Sequence, residues 1–160
     1  MSRLVLDPGN STGWVIRKDD GTVIGGTIDE NHLNVAQLIK DAYAQYGVTL
    51  VIYETFQLYP GKANKMMWNS FYPCEVIGVI KCTIDTINKA AVDLGLPVSI
   101  NIEGLSPSVK KYAGPCNDWN EIHLIHHSVK GFEPEKEEKI TEHTRDAYRL
   151  LKYYELNYKF

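Results

Sequence analysis

The chain has 160 residues, of which 44% are hydrophobic, and a formal net charge of −3 at pH 7. This length suits one domain over residues 1–160, and the absence of a long apolar run or a signal-peptide pattern predicts a cytosolic protein without membrane contact. The negative charge argues against indiscriminate nucleic-acid binding through bulk charge, and three cysteines without a Cys-x-x-Cys pair favour neither a disulfide framework nor a Cys-rich zinc site.

The first elements are three strands, predicted at residues 3–7, 13–18 and 23–28 and forming an antiparallel meander. The first strand ends at Asp7, after which Pro8 and Gly9 suit a type II turn and Gly13 permits a close backbone approach. A carboxylate at the end of a buried strand is costly without a partner. Asp7 is therefore either a functional group or an ordinary hairpin acceptor, and its position alone does not decide between them.

The next segment alternates between helix and strand. Apolar spacing predicts a helix over residues 31–46, and a β-branched apolar run predicts a buried strand over 49–54. That strand also ends in an acid, Glu54. Residues 55–68 then read as a long loop rich in basic and aromatic side chains, and loops of this length are usually functional or mobile.

The second half predicts a long helix over 73–94, a strand over 97–102 and a short helix over 108–112 that carries Lys110 and Lys111. Residues 114–138 show no clean period and are interpreted as an irregular insertion. A last helix is predicted over 140–157. The element order implies an α/β fold with a mixed sheet.

The final helix contains a polar pair, His143 and Asp146, whose spacing places both side chains on one face beside an apolar stripe. If that face lies over the ends of the strands that carry Asp7 and Glu54, three carboxylates converge. Carboxylates at close range repel unless cations lie between them, and oxygen ligands favour Mg²⁺ or Mn²⁺ over zinc.

The ordered set Asp7-Pro8-Gly9 with Thr12-Gly13, Val51 to Glu54, and His143-x-x-Asp146 resembles the RuvC-type Holliday junction resolvases of the RNase H-like superfamily, most closely their short phage-encoded members. The resemblance covers residues 3 to about 113 and 140–152. It implies an RNase H-like mixed five-stranded sheet flanked by helices. It also implies a bacterial cytoplasm, either of the cell itself or of a phage host, as the location.

The same resemblance implies an activity: Mg²⁺- or Mn²⁺-dependent cutting of four-way DNA junctions by a homodimer. The catalytic acids would be Asp7, Glu54 and Asp146, which would bind two metal ions. His143 occupies the family's fourth position and would act as a ligand or in proton transfer.

Several basic and aromatic side chains are predicted to contact DNA, although solvated surface or core packing explains some of them as well. They are Tyr59, Lys62, Lys65, Trp68, Lys110, Lys111 and Arg145. Phe56, Phe71 and Tyr72 are further aromatic candidates for stacking on unpaired bases, and most aromatics at such density belong to the core.

Other interpretations remain open. A flap- or fork-cutting nuclease of the same fold is the nearest, an actin-like nucleotide-binding protein shares the opening turn, and a catalytically silent DNA-binding module is a third. The group His123, His126 and His127, with Cys116 upstream, lacks the paired spacing of convincing zinc sites. Gly78 in the long helix suggests close packing, either inside the monomer or against a dimer partner.

Overall fold

The computed structural model describes residues 1–29, 32–57, 71–97, 99–113, 119–134 and 139–158. Within these ranges the chain forms a mixed sheet of seven strands with α-helices on both faces. The strands are β1 Ser2–Asp7, β2 Ser11–Arg17, β3 Val23–Asp29, β4 Val48–Glu54, β5 Asn101–Leu105, β6 Ile122–Ser128 and β7 Gly131–Pro134. The helices are α1 His32–Tyr46, α2 Tyr72–Asp93 and α3 Glu142–Asn157, with short 3-10 helices at Pro107–Tyr112 and Trp119–Glu121.

The strand order across the sheet is β5-β4-β1-β2-β3-β6-β7. The first three strands form the predicted antiparallel meander, and β4 and β5 add to its β1 side in parallel. On the other side, β6 pairs in parallel with β3, and β7 closes an antiparallel hairpin with β6. The predicted mixed α/β sheet is confirmed, but it has seven strands rather than five.

An apolar layer covers each face of the sheet, and its central strands are therefore buried on both faces. In β1, Leu4 and Leu6 point into the layer that holds α1 and α2, and Val5 points into the layer under α3. The buried stripe of α3 includes Ala147, Leu150 and Leu151, as the helical spacing predicted. This helix therefore lies flat on the face of β1 and β2 and has a fixed orientation there.

Part of the segment predicted to be irregular is regular. Residues 122–134 form the β6–β7 hairpin, while 114–118 and 135–138 lie outside the described residues. The sequence of β6 lacks the alternation of apolar and polar residues that indicates a strand, because only Ile122 and His127 are buried and His127 is polar. The hairpin can lie close against β3 because residue 26 is a glycine: a Cβ on Gly26 would overlap the carbonyl oxygen of Ile125.

Two further predictions need correction. The strand predicted over 97–102 begins at Asn101, because the Asn88 side chain binds both the backbone N–H and the carbonyl of Ile100 and holds that residue against α2. The turn after Asp7 is not type II, since Gly9 lacks the positive φ that such a turn requires. The Thr12 hydroxyl instead bonds the backbone of Gly9.

Among the described helices, none combines the length and the apolar character that crossing a bilayer would require.

Candidate active site

Asp7 and Glu54 end two neighbouring parallel strands at the same edge of the sheet. Register pairs Leu6 with Tyr53, so the next residue of each strand is one of the two acids. Asp7 is only 9% exposed, and Glu54 is partly buried beside it. Neighbouring parallel strands end on the same side of their sheet. The prediction that Asp7 and Glu54 lie together is therefore confirmed.

The start of α3 completes the cluster. Thr141 caps the helix by accepting a hydrogen bond from the Thr144 backbone N–H, and the Thr144 hydroxyl donates to the Gly26 carbonyl in β3. These bonds anchor the first turn over the sheet. As a result, His143 Nδ1 lies 4.0 Å from an Asp7 carboxylate oxygen, and Asp146 lies one turn further along the helix.

The ammonium of Lys110 lies among the three carboxylates. Its Nζ is 2.6 Å from Glu54 Oε2, 3.2 Å from Asp146 Oδ2 and 4.0 Å from Asp7 Oδ1. Lys110 comes from the 3-10 helix Pro107–Tyr112, which packs against α3. One side-chain cation thus joins acids from β1, β4 and α3.

The electrostatics of Asp7 reflect this crowding. Burial, together with the nearby charges of Glu54 and Asp146, raises the pKa of Asp7 from 3.8 to about 7, although Lys110 opposes the shift. For Lys110, burial by itself lowers the pKa, but the close contact with Glu54 and the charges of the surrounding acids outweigh burial and raise the pKa. At Asp7, burial and the two neighbouring carboxylates therefore outweigh the single Lys110 ammonium.

Sequence reasoning missed two features of the site. Arg149 donates to Asp146 Oδ1 at 2.6 Å, and its spacing of three residues from Asp146 on a helix was the available signal. Lys110 was predicted to contact DNA, whereas the structure places its ammonium inside the acidic cluster. No local pattern signals that contact, because it joins residues far apart in the chain.

The other predicted DNA contacts fall into two groups. Arg145 and Lys111 are exposed near the cluster, and the Lys111 ammonium lies 5.0 Å from the centre of the Tyr112 ring. The remaining four, Tyr59, Lys62, Lys65 and Trp68, lie outside the described residues.

Aromatic side chains also border the acids. Phe56 and the half-exposed Phe71 meet edge to face, with ring centres 6.1 Å apart. Phe56 lines a surface cavity of about 210 Å³ whose wall includes Pro8 and Glu54. An apolar surface therefore lies directly beside the carboxylate cluster.

The donor set fits a hard divalent cation. Three carboxylates and an imidazole face one another, and Glu54 Oε2 is buried with no aligned hydrogen bond in spite of its short contact to Lys110. Within the described ranges, no group of three or more Asp, Glu, His or Cys side chains has the arrangement needed to hold a metal ion. At this cluster the carboxylates instead surround the Lys110 ammonium.

The three histidines of β6 have different surroundings. His127 is buried, bonds Asp41 Oδ2 through Nε2 at 2.7 Å and packs on Phe132, while His123 and His126 are exposed. Cys116 lies outside the described residues. The described geometry gives His127 a structural role between β6 and α1.

Comparison with known proteins adds a fold relationship. No family model and no curated protein matches the sequence. Among solved structures, Thermus thermophilus RuvC in complex with a Holliday junction substrate aligns with a TM-score of 0.54 and 14% identity, over 96% of this chain and 92% of that chain. T. thermophilus RuvC alone gives a TM-score of 0.52 at 14% identity, over 96% and 93% of the two chains.

A yeast protein extends the likeness. The mitochondrial Holliday junction resolvase Ydc2 aligns with a TM-score of 0.51 and 13% identity, over 95% of this chain and 76% of that one. At such identities the comparison establishes architecture alone. The protein therefore has the fold of the RuvC-type Holliday junction resolvases.

Proposed function

We propose that the protein is a divalent-metal-dependent endonuclease that resolves four-way DNA junctions. The observation that carries the proposal is the meeting of Asp7, Glu54, Asp146 and His143 at one edge of a resolvase-like sheet. Three acids that are buried or partly buried at one place are suited to metal-assisted phosphodiester hydrolysis. A nuclease of this kind acts where DNA is found, in agreement with the cytoplasmic location expected from the sequence.

The residues have distinct roles in this proposal. Asp7, Glu54 and Asp146 would hold Mg²⁺ or Mn²⁺, and two such ions would activate a water molecule and stabilise the departing oxygen. His143 is about half exposed and lies beside Asp7, so its imidazole can orient or accept a proton from the attacking water. Arg149 holds the Asp146 carboxylate in place through Oδ1.

Substrate binding would use the surface around these acids. Arg145 and Lys111 would contact phosphates, as would Lys110 when its ammonium leaves the acids, and Lys62 and Lys65 remain predicted contacts.

Phe56 and Phe71 would stack on bases unpaired at the branch, together with the predicted Tyr59 and Trp68. The surface cavity that Phe56 shares with Glu54, and the position of Phe56 two residues after Glu54 in the chain, favour this arrangement.

The partner we propose for the second cut is another copy of this chain, docked through α2. A Cβ on Gly78 would meet no atom of the described residues within 4 Å, so packing among those residues does not explain this glycine. Cys74, Gly78 and Cys82 are exposed at a spacing of four residues along one helix face. Gly78→Lys should leave the monomer folded and shift the protein from dimer to monomer in sedimentation velocity; an unchanged sedimentation coefficient would place the interface elsewhere.

The activity is tested on labelled junction, flap, fork and plain duplex DNA with Mg²⁺, side by side. Asp7→Asn should keep junction binding and lose cutting by roughly a thousandfold or more. Asp29→Asn is the matched control, because Asp29 ends β3 at the same sheet edge but bonds only Ser11 in the described contacts. Preferred cutting of flaps or forks would reassign the substrate, and cutting by the Asp7 variant would remove Asp7 from the mechanism.

A further inference from the structure

We infer that Lys110 is a tethered cation that occupies the acidic cluster before a divalent metal arrives and must withdraw when the metal binds. This inference rests on the proposed metal-dependent function and deepens it, since it assigns a role in metal loading to one side chain.

The geometry supports a space-filling role for the ammonium. Lys110 Nζ contacts Glu54 at 2.6 Å and Asp146 at 3.2 Å, and it is within 4.0 Å of Asp7. These are the three carboxylates that would hold the metal. A position within 4.0 Å of acids from three separate elements coincides with the space that a shared ion requires.

The backbone around Lys110 is well anchored. Its 3-10 helix begins at the Ser106 cap, whose hydroxyl accepts from the Ser108 N–H, and it packs on α3. Lys111, the next residue, is exposed and faces Tyr112 instead. The Lys110 ammonium therefore reaches the acids from a fixed base through a flexible stem, which permits it to leave without unfolding the helix.

The charges explain why the exchange is possible and why it has a cost. A divalent ion carries twice the charge of the ammonium and attracts the three carboxylates more strongly, so it can replace Lys110. Before that, Lys110 limits the repulsion among partly buried carboxylates that would otherwise destabilise the metal-free protein. The measured metal affinity then equals the attraction of the acids for the metal ion less their attraction for the Lys110 ammonium. Removal of Lys110 should therefore tighten metal binding.

The test is calorimetric titration of Mn²⁺ into the full chain without DNA, at low salt and at pH 8.5. Lys110→Gln should bind Mn²⁺ roughly tenfold more tightly than the wild type, since its site holds no competing charge. Lys111→Gln is the matched control and should bind like the wild type. Glu54→Gln should lose binding, which assigns the heat to this cluster.

Thermal melting in EDTA provides a second readout. Lys110→Gln should melt below the wild type without metal, and Mn²⁺ should raise its melting temperature by more. Lys110→Arg retains the charge and is the variant to use if the glutamine form does not fold; it should bind Mn²⁺ no more tightly than the wild type.

The outcomes separate the two proposals. Mn²⁺ binding by Lys110→Gln at or below wild-type affinity, with Glu54→Gln inactive in binding, overturns the role of Lys110 and leaves the metal site in place. Tighter binding by Lys110→Arg also overturns it. Absence of Mn²⁺ binding in every variant overturns the metal-dependent function itself.

Discussion

Gly13 of β2 lies directly against the backbone of His143 at the start of α3. A Cβ at position 13 would overlap the His143 carbonyl and lie 2.6 Å from the Thr144 nitrogen. The sequence predicted a close approach at this glycine, and the structure identifies the approaching element as the helix that carries two site residues. The absence of one side chain thus sets the distance between α3 and the strand that follows Asp7.

Gly13→Ala should therefore damage both stability and activity. The added methyl would force the first turn of α3 away from the sheet, with an expected loss of about 2 kcal/mol or more, and His143 and Asp146 would move away from Asp7. Melting temperature and junction cutting in Mg²⁺ measure the two effects. Ser11→Ala on the same strand is the control, since the Ser11 hydroxyl bonds the exposed Asp29 of β3. Wild-type cutting by Gly13→Ala would contradict the proposed arrangement.

The raised pKa of Asp7 predicts a pH-dependent stability without metal. Because the folded-state pKa of about 7 exceeds the ordinary 3.8, the protonated form is favoured by folding. The stability that this preference contributes is complete below pH 3.8 and is lost as pH rises towards 7. In EDTA, Asp7→Asn, which stays neutral, should melt increasingly above the wild type from about pH 4 to pH 7 and by a constant margin beyond.

A constant difference across that pH range would show that Asp7 titrates normally in the folded protein. Asp29→Asn again serves as the control, because it makes the same substitution at an exposed acid outside the cluster. Melting curves at matched ionic strength are needed, since the charges of Glu54 and Asp146 contribute to the shift.

Most of the fold and the acids of the site were predictable from the sequence. The strands that end in Asp7 and Glu54 have uniform apolar patterns, and parallel strands necessarily bring their ends to one edge. The helix with His143 and Asp146 has a clear stripe, with Thr141 as its cap. Local periodicity therefore placed each acid on its element, while the approach of Asp146 to Asp7 and Glu54 was expected from the family resemblance.

The remaining features depend on contacts between distant elements. The insertion of Lys110 among the acids requires the 3-10 helix to pack on α3, and no spacing in the sequence encodes that packing. The β6–β7 hairpin was missed because His127 is buried through its bond to Asp41 in α1, where a polar residue normally indicates exposure. The strand count was low for the same reason.

At the far end of α3, Arg17 joins the helix to the rest of the molecule. Its guanidinium binds Glu155 of α3 at 2.7 Å and also Glu121, which in turn accepts from the Tyr148 hydroxyl. Arg17→Met should cost about 2 kcal/mol, less than the roughly 3–5 kcal/mol of a fully buried pair because both acids keep some solvent contact.

Chemical denaturation measures this loss. Lys18→Met removes the same charge from the adjacent residue, whose only ion pair among the described residues is a 4.0 Å contact with exposed Asp20, and should change the free energy of unfolding by less than about 0.5 kcal/mol. Equal effects of the two variants would show that the network at Arg17 contributes no more than surface charge.

Arg145 is exposed one residue before Asp146, and the proposed function makes it a phosphate contact. Arg145→Ala should weaken junction binding to a similar degree for all junction sequences and reduce the slope of log affinity against log salt by about 1, because one fewer counterion is released. Lys89→Ala is the control; Lys89 pairs with Asp85 near the end of α2, so its loss should leave the slope unchanged. Binding isotherms at several salt concentrations, measured in Ca²⁺ or EDTA to prevent cutting, distinguish the two. An unchanged slope for Arg145→Ala would mean that the DNA backbone does not pass over the start of α3, and the path of the substrate across the sheet edge would then have to lie on the Phe56 side of the acids.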